Sequence, residues 1–335
     1  MTDVIAGTEA PVDGSRRAEV EAALALHRSE LTGYCYRMLG SVAEAEDAVQ
    51  DTLLRAWRAS DSFEGRAAVR SWLYRIATNV CLDMLKSRKR RARPVDLGPA
   101  ATATTPLATP LPENTWIEPA PDVEVLPATD DPAEEAVLRE SIRLAFIAAL
   151  QVLPARQRAV LILREVLRWQ ATEVAELLGT SVQSVNSALQ RARATLAQHE
   201  LEPGDMRDEA DDAQQSLLAR YVDAFERYDL DSLVALLHED MVMSMPPYDL
   251  WLRGPEELRA WFLGSGHGCE GSALVPVMAN ASPAFAQYRP SGPGGRLEPW
   301  SIQVLEIRDG RITSLTSFLD KDLFARFGLP ETLER

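Results

Sequence analysis

Two all-α blocks followed by an α+β domain are the multidomain architecture that this sequence predicts, and three observations carry the reading. Apolar residues recur at spacings of three and four across residues 25–93 and again across 133–199. A proline-rich acidic stretch, 94–132, separates the two. Beyond residue 213 the pattern changes to helices and then short alternating strands. A chain of 335 residues has room for two or three domains, and 46% hydrophobic with 25% charged residues is ordinary for packed cores. No run nears the roughly 18 apolar residues of a membrane span. Met1 to Arg17 lacks an apolar h-region, so no secretory signal is expected. Cys35, Cys81 and Cys269 lie far apart, neither a disulfide framework nor a ligand spacing. The expectation is a cytoplasmic chain without metal or cofactor.

A net charge of -15 argues, taken whole, against nucleic-acid binding. Its distribution argues the opposite. Residues 25–93 hold 13 basic and 8 acidic side chains, and 141–199 hold 7 and 3. Residues 94–140 hold 1 and 10, and 200–335 hold 12 and 24. Two basic blocks are thus set in an acidic chain. The divisions are an extension (1–24), the first block (25–93), the linker (94–132), the second block (133–199), a hinge at 200–212, a domain at 213–328 and a tail at 329–335.

In the first block, 44–58 reads as a helix with Ala45, Ala48, Val49, Thr52, Leu53, Ala56 and Trp57 on its apolar face. A second stripe, Asp47, Gln50, Asp51, Leu54 and Arg58, is an acidic face with one apolar residue in it, either plain solvated surface or a docking face. Residues 60–68 read as a loop. The run 70–92 reads as another helix, with Trp72, Leu73, Ile76, Ala77, Val80, Cys81, Met84 and Leu85 inward. It ends in Lys86, Arg88, Lys89, Arg90, Arg91 and Arg93, more cations than a helix C-terminus needs and enough to neutralise several phosphates. In the linker, nine prolines predict an extended, partly polyproline chain.

The second block carries the most specific spacing. Ala171 to Ala188 fits a helix-turn-helix: Ala175 permits close approach, Gly179 supplies the turn, and Val185 packs the second helix onto the first. Val174, Leu178, Val182 and Ala188 fill the other inward positions. Ser181 is a suitable N-cap, and Gln183, Ser184, Asn186, Ser187, Gln190, Arg191 and Arg193 form an outward face able to read base edges and grip phosphates.

Residues 213–328 begin with two helices between Ser216 and Leu237 and a third across Glu256 to Phe262. Strands follow at Ala284 to Tyr288, Trp300 to Ile307 and, after an Asp309-Gly310 turn, Arg311 to Leu319. Tyr221, Tyr248, Trp251, Trp261 and Trp300 are candidates either for the core or for the lining of an apolar pocket. Asp240, Asp249 and His267 are the available acid–base groups.

The segments Leu31 to Ser41, Ala45 to Thr52 and Ser71 to Asn79 together resemble region 2 of bacterial sigma factors. Residues 149–197, with Leu153-Pro154 and the helix-turn-helix, resemble region 4. Joined by a linker alone, they resemble the extracytoplasmic-function (group IV) class. The α+β part resembles SnoaL-like members of the NTF2-like superfamily, a curved sheet wrapped around a helix as a cone. This resemblance implies core RNA polymerase as partner, through its β′ coiled coil and β flap, with Asp47, Gln50, Asp51 and Leu54 on the docking face. It implies promoter DNA as the other partner. The −10 element falls to Arg66, Arg75, Asn79, Asp83, Lys86, Arg88, Lys89 and Arg90, and the −35 element to Ser181, Gln183, Ser184, Asn186, Ser187, Gln190, Arg191 and Arg193. It further implies that the SnoaL-like domain acts in cis as a regulator rather than an enzyme, touching the linker and both sigma regions, with Trp116 and Pro119 as linker anchors. Two other readings stay open on the residues alone: a SnoaL-type enzyme with an appended DNA-binding module, and a DNA-binding regulator that never docks on polymerase.

Overall fold

Helices α1 (Asp13–Leu39), α2 (Val42–Arg58) and α3 (Val69–Leu85) build the first body of a computed structural model that describes residues 13–59, 69–86, 90–197 and 211–334. Gly40, at φ +73, ends α1, and Ser41 starts α2 by accepting the Glu44 amide at 3.2 Å. Leu31, Tyr34, Met38, Ala48, Val49, Leu73, Ala77 and Val80 fill the core between the three. The expected inward face of α2 holds except at Trp57, which is 46% exposed beside Leu54 at 54%. The expected helix across 70–92 stops at Leu85. Cations crowded along one helix repel one another, and by Ala92 the chain is extended and bridged to Trp116.

The linker is docked rather than loosely extended. Short turns at Pro94–Asp96 and Glu113–Thr115 and a short helix α4 (Asp122–Val125) punctuate it. Ala103, Trp116, Ile117, Pro119, Ala120 and Val125 are buried. The apolar side chains scattered among its prolines give it something to bury, and the prolines reduce the entropy of ordering it.

The second helical block comprises α5 (Pro132–Glu140), α6 (Leu144–Val152), α7 (Ala155–Leu161) with a π turn at Ile162–Val166, then α8 (Ala171–Leu177) and α9 (Val182–Ala197). The turn of the helix-turn-helix is as the spacing predicts. Gly179 sits at φ +60 and donates to Glu176 O at 3.2 Å, and Thr180 N donates to Ala175 O at 2.9 Å. These paired bonds satisfy the orphan carbonyls at the end of α8. Val174, Ala175 and Val185 are buried; Val182, expected inward, is 38% exposed because it opens α9, ahead of the packed turn.

The C-terminal domain places α10 (Asp211–Glu226), α11 (Leu230–Val234) and α12 (Pro255–Leu263) with a six-stranded sheet. Its strands are β1 (Leu237–Ser244), β2 (Trp251–Arg253), β3 (Ala273–Ala279), β4 (Ser282–Pro290), β5 (Leu297–Arg308) and β6 (Arg311–Phe318), followed by α13 (Asp322–Arg326). The order β2-β1-β6-β5-β4-β3 is antiparallel except where β1 runs parallel to β6. The sequence does not announce β3, which carries Pro276; as an edge strand it tolerates the missing donor. Both faces of the sheet are covered. Phe285, Leu305 and Leu315 join the core with α10–α12, whereas Ala284, Ala286, Ile302 and Val304 join the core that continues into the two helical blocks.

Candidate promoter and polymerase interfaces

The candidate docking residues lie together on α2. Asp47, Gln50 and Leu54 are exposed and Asp51 is half-buried. Asp51 pairs with Arg55 at 2.8 Å, and Arg55 reaches Asp83 on α3 at 3.7 Å. The sequence reading missed Trp57, which stands three residues from Leu54 on the outer surface and enlarges the apolar content of this face.

Of the candidate −10 residues, Arg66, Arg88 and Lys89 fall outside the described residues. Asn79 and Lys86 are exposed on or just after α3. Lys86 is tied to Asp83 at 2.7 Å, and that ammonium, ahead of Arg55, holds the Asp83 carboxyl below its usual range. Arg75 points toward region 4 instead: its guanidinium lies 3.8 Å from Glu176 on α8, and its Nε is buried without an acceptor. Arg91, grouped by sequence with the phosphate-facing cations, is 6% exposed. It pairs with Glu44 at 2.6 Å and with linker Glu118 at 3.4 Å, because burial of a guanidinium demands such partners. Arg93 is likewise engaged by Asp96 of the linker.

The −35 candidates form one face of α9. Gln183, Ser184, Asn186, Gln190, Arg191 and Arg193 are exposed and Ser187 is half-buried. Ser181 is used as the cap, accepting the Ser184 amide at 3.1 Å, and Arg193 pairs with Glu165 at 2.6 Å.

The two modules pack on each other. Trp169, just before α8, meets Tyr74 of α3 with ring centroids 5.1 Å apart, and Arg70 lies over both rings. Arg158 of α7 crosses to the C-terminal end of α1, where it donates to Met38 O; its other acceptors are Gln151 and Leu153. Burial, then repulsion from Arg90, lowers its pKa to about 10. Arg37, also lowered to about 10 by burial, donates to Ser141 Oγ at 2.9 Å, tying α1 to the entry of region 4.

The C-terminal domain holds this arrangement chiefly through the β3–β4 turn and α13. Asn280 and Ala281 join β3 to β4 with φ +56 and +53, the geometry of a tight hairpin. Asn280 is fully buried. Its Nδ2 donates to Tyr36 Oη of α1 at 2.7 Å and to Ile142 O at 2.6 Å, while its Oδ1 accepts the linker amide of Ala120 at 2.8 Å. Next to it, Ala281 N donates to Asp122 Oδ1 at 2.8 Å; burial nonetheless raises that carboxyl's pKa. On α13, Arg326 bridges Glu46 of α2 and Glu124 of the linker, both at 3.0 Å. The sequence reading did not single out this turn, and nothing in the dipeptide Asn280-Ala281 names its partners.

The anchors expected in the linker are buried, with Trp116 at 4% exposure. Trp116 lies along the end of region 2, its carbonyl accepting from Arg91 and its backbone paired with Ala92. Hydrogen bonds to the C-terminal domain come from elsewhere in the linker. Trp251 Nε1 donates to Gly98 O at 2.9 Å, Ala101 N to Trp251 O at 2.8 Å and Leu111 N to Pro247 O at 2.9 Å.

The five candidate pocket aromatics are therefore not gathered in one place. Trp251 is occupied with the linker, and Trp300 lies under Arg289 at 3.7 Å. Tyr248 is half-buried, and Trp261 is core. Tyr221 donates to Gln303 Oε1 at 2.7 Å. This starts a buried chain of neutral groups through Gln287, Ser301 and Ser272. Asp240, Asp249 and His267 are exposed, and the described residues contain no cluster that could hold a metal. No described helix is long and apolar enough to cross a membrane.

Known families match the chain in the same three parts: Sigma-70 region 2 over residues 24–91, Sigma-70 region 4 over 143–196 and a SnoaL-like domain over 218–315. The ECF RNA polymerase sigma factor SigG of Mycobacterium tuberculosis is 43% identical over 330 residues, 96% of this chain and 87% of that protein. SigJ of the same organism is 30% identical over 315 residues, 91% and 93% respectively. Its crystal structure matches with a TM-score of 0.60 at 27% identity, covering 93% of this chain and all of that one. With both sigma regions and the SnoaL-like domain matched in order and near full-length identity to such relatives, the chain belongs to the extracytoplasmic-function RNA polymerase sigma factors that carry a C-terminal SnoaL-like domain.

Proposed function

We propose that this sigma factor, acting in the cytoplasm where polymerase works, rests in a closed state that its SnoaL-like domain maintains, and that it opens when core polymerase takes hold of α2. The contact between α3 and α8 carries the reading. Promoter elements named for positions −10 and −35 are separated by about 25 base pairs, or about 85 Å of duplex at ~3.4 Å per pair. Modules joined by Tyr74–Trp169 and Arg75–Glu176 contacts cannot span that distance, so both elements are read only after region 4 leaves region 2. Asp47, Gln50, Asp51, Leu54 and Trp57 then dock on the β′ coiled coil, α9 enters the −35 major groove, and region 4 meets the β flap. Arg75, Asn79, Lys86 and Arg90 face the −10 strand. Linker acids contribute to restraint, since Glu118 and Asp96 already occupy Arg91 and Arg93. The SnoaL-like domain acts here as a clamp and not as a catalyst; the satisfied amide and hydroxyl chain inside it supports that role.

Joining cysteines introduced at Arg75 and Glu176 with a short bismaleimide is expected to abolish promoter-specific transcription while leaving the fold unchanged. Full activity of the joined chain in a run-off assay would rule out opening. The Arg191→Ala variant is expected to weaken binding to a −35 duplex by about 1–3 kcal/mol if the guanidinium reads a base. An equal loss on a scrambled duplex assigns it to phosphate.

A further inference from the structure

A cavity of about 210 Å³ opens where region 2, the linker and region 4 meet, and its polar lining is Glu44, Arg90, Arg91, Asn114, Gln151 and Arg158. Of its three guanidinium groups, Arg91 is compensated by Glu44 and Glu118. Arg158 is not. It is 4% exposed, all its acceptors are neutral amide and carbonyl oxygens, and its Nε is buried without an acceptor. Arg90 makes no hydrogen bond or ion pair among the described residues, acting through space on Asp96 and, repulsively, on Arg158. An uncompensated buried cation beside a second cation is costly unless an anion completes the site.

We propose that this cavity binds a small phosphorylated molecule, held by Arg90 and the Asn114 amide, with the uncompensated charge of Arg158 in the wall behind them. The Arg90 fork, without a hydrogen bond or ion pair among the described residues, matches phosphoryl oxygens in charge and geometry, whereas the terminal N–H groups of Arg158 are taken by Met38, Gln151 and Leu153, so that side chain acts by its charge. The cavity volume is well above what a single water needs and leaves room for a pyrophosphate or a phosphate ester. Because the walls come from both sigma regions and the linker, such a ligand binds the closed chain in preference to any open one, and it withdraws Arg90 from DNA. The ligand thereby acts as a lock. The site is built from the sigma regions and linker alone, so it stands whether or not the SnoaL-like clamp is the main restraint.

Duplex DNA is the other source of phosphate, and calorimetric titration of the full chain without polymerase separates the two. Sodium pyrophosphate is expected to bind saturably at one site per chain and to raise the melting temperature. Arg90→Ala should weaken it about tenfold or more, as expected for loss of a charge-assisted hydrogen bond, and Arg158→Gln should weaken it by removing the buried charge. Arg296→Ala, an exposed arginine before β5, should bind as the parent does. If Arg158→Gln fails to fold, the exposed Arg90 carries the test alone. Absence of saturable pyrophosphate binding overturns the proposal, as does affinity undiminished in Arg90→Ala. Binding of a duplex oligonucleotide with none of pyrophosphate assigns the arginines to DNA and overturns it equally.

Discussion

The Asn280→Gly variant is expected to open the chain and raise its activity with core polymerase while leaving each folded part intact. Three hydrogen bonds leave with the side chain, each reaching a different segment: Tyr36 in α1, Ala120 in the linker and Ile142 before α6. A buried hydrogen bond contributes about 0.5–1.5 kcal/mol net, and a partner left without one costs about 1–3. The closed state thus loses on the order of 3 kcal/mol, roughly a hundredfold in the closed-to-open ratio. Glycine adopts the +56 φ at this position without strain, so the β3–β4 turn persists and the effect stays with the contacts. A larger radius of gyration by small-angle scattering and higher run-off yield are the expected readouts. A chain that scatters and transcribes as the parent does would remove Asn280 from the clamp.

The elements that position the candidate interfaces were largely legible in the sequence, and the closed arrangement was not. Periodicity exposed α2, and the Ala175–Gly179–Val185 spacing located the helix-turn-helix, because both are local consequences of helix geometry. The acidic face on α2 was legible for the same reason, except that Trp57 was read as inward. That error has a simple origin: three- and four-residue spacing assigns a stripe but cannot say where the partner helix ends, and the buried face stops at Ala56. Arg91 was read by charge as a phosphate contact. Its true partners, Glu44 and Glu118, are 47 and 27 residues away, and no local pattern reports so distant a pairing. The same holds for Asn280, whose bonds to Tyr36 and Ile142 span 244 and 138 residues. The sharpest shift concerns the acidic linker. Its composition suggested an extended, partly polyproline chain, yet Trp116, Ile117, Ala120 and Val125 give it a buried side of its own.

The Leu54→Asp variant is expected to lower affinity for core polymerase by about two orders of magnitude. Leu54 is 54% exposed on the outer face of α2, so its replacement disturbs none of the packing of Ala48, Val49 and Ala56. A large apolar side chain kept in water beside an exposed Trp57, with Asp47, Gln50 and Asp51 along the same stripe of α2, has the composition of an apolar interface centre flanked by polar groups. Residues at such centres typically cost about 2–4 kcal/mol when removed, and an added carboxylate also buries an unpaired charge. Co-purification with tagged core polymerase measures the loss, and undiminished recovery would displace the docking face from α2. The two variants together order the events. Glu46, one residue from Asp47, is held by Arg326 of α13, so the clamp and the docking face share a helix. If docking drives opening, the Asn280→Gly change cannot rescue Leu54→Asp: the double variant scatters as an open chain and still fails to recruit polymerase. Recovery of transcription in the double variant would instead mean that opening alone suffices and that polymerase is engaged through another surface.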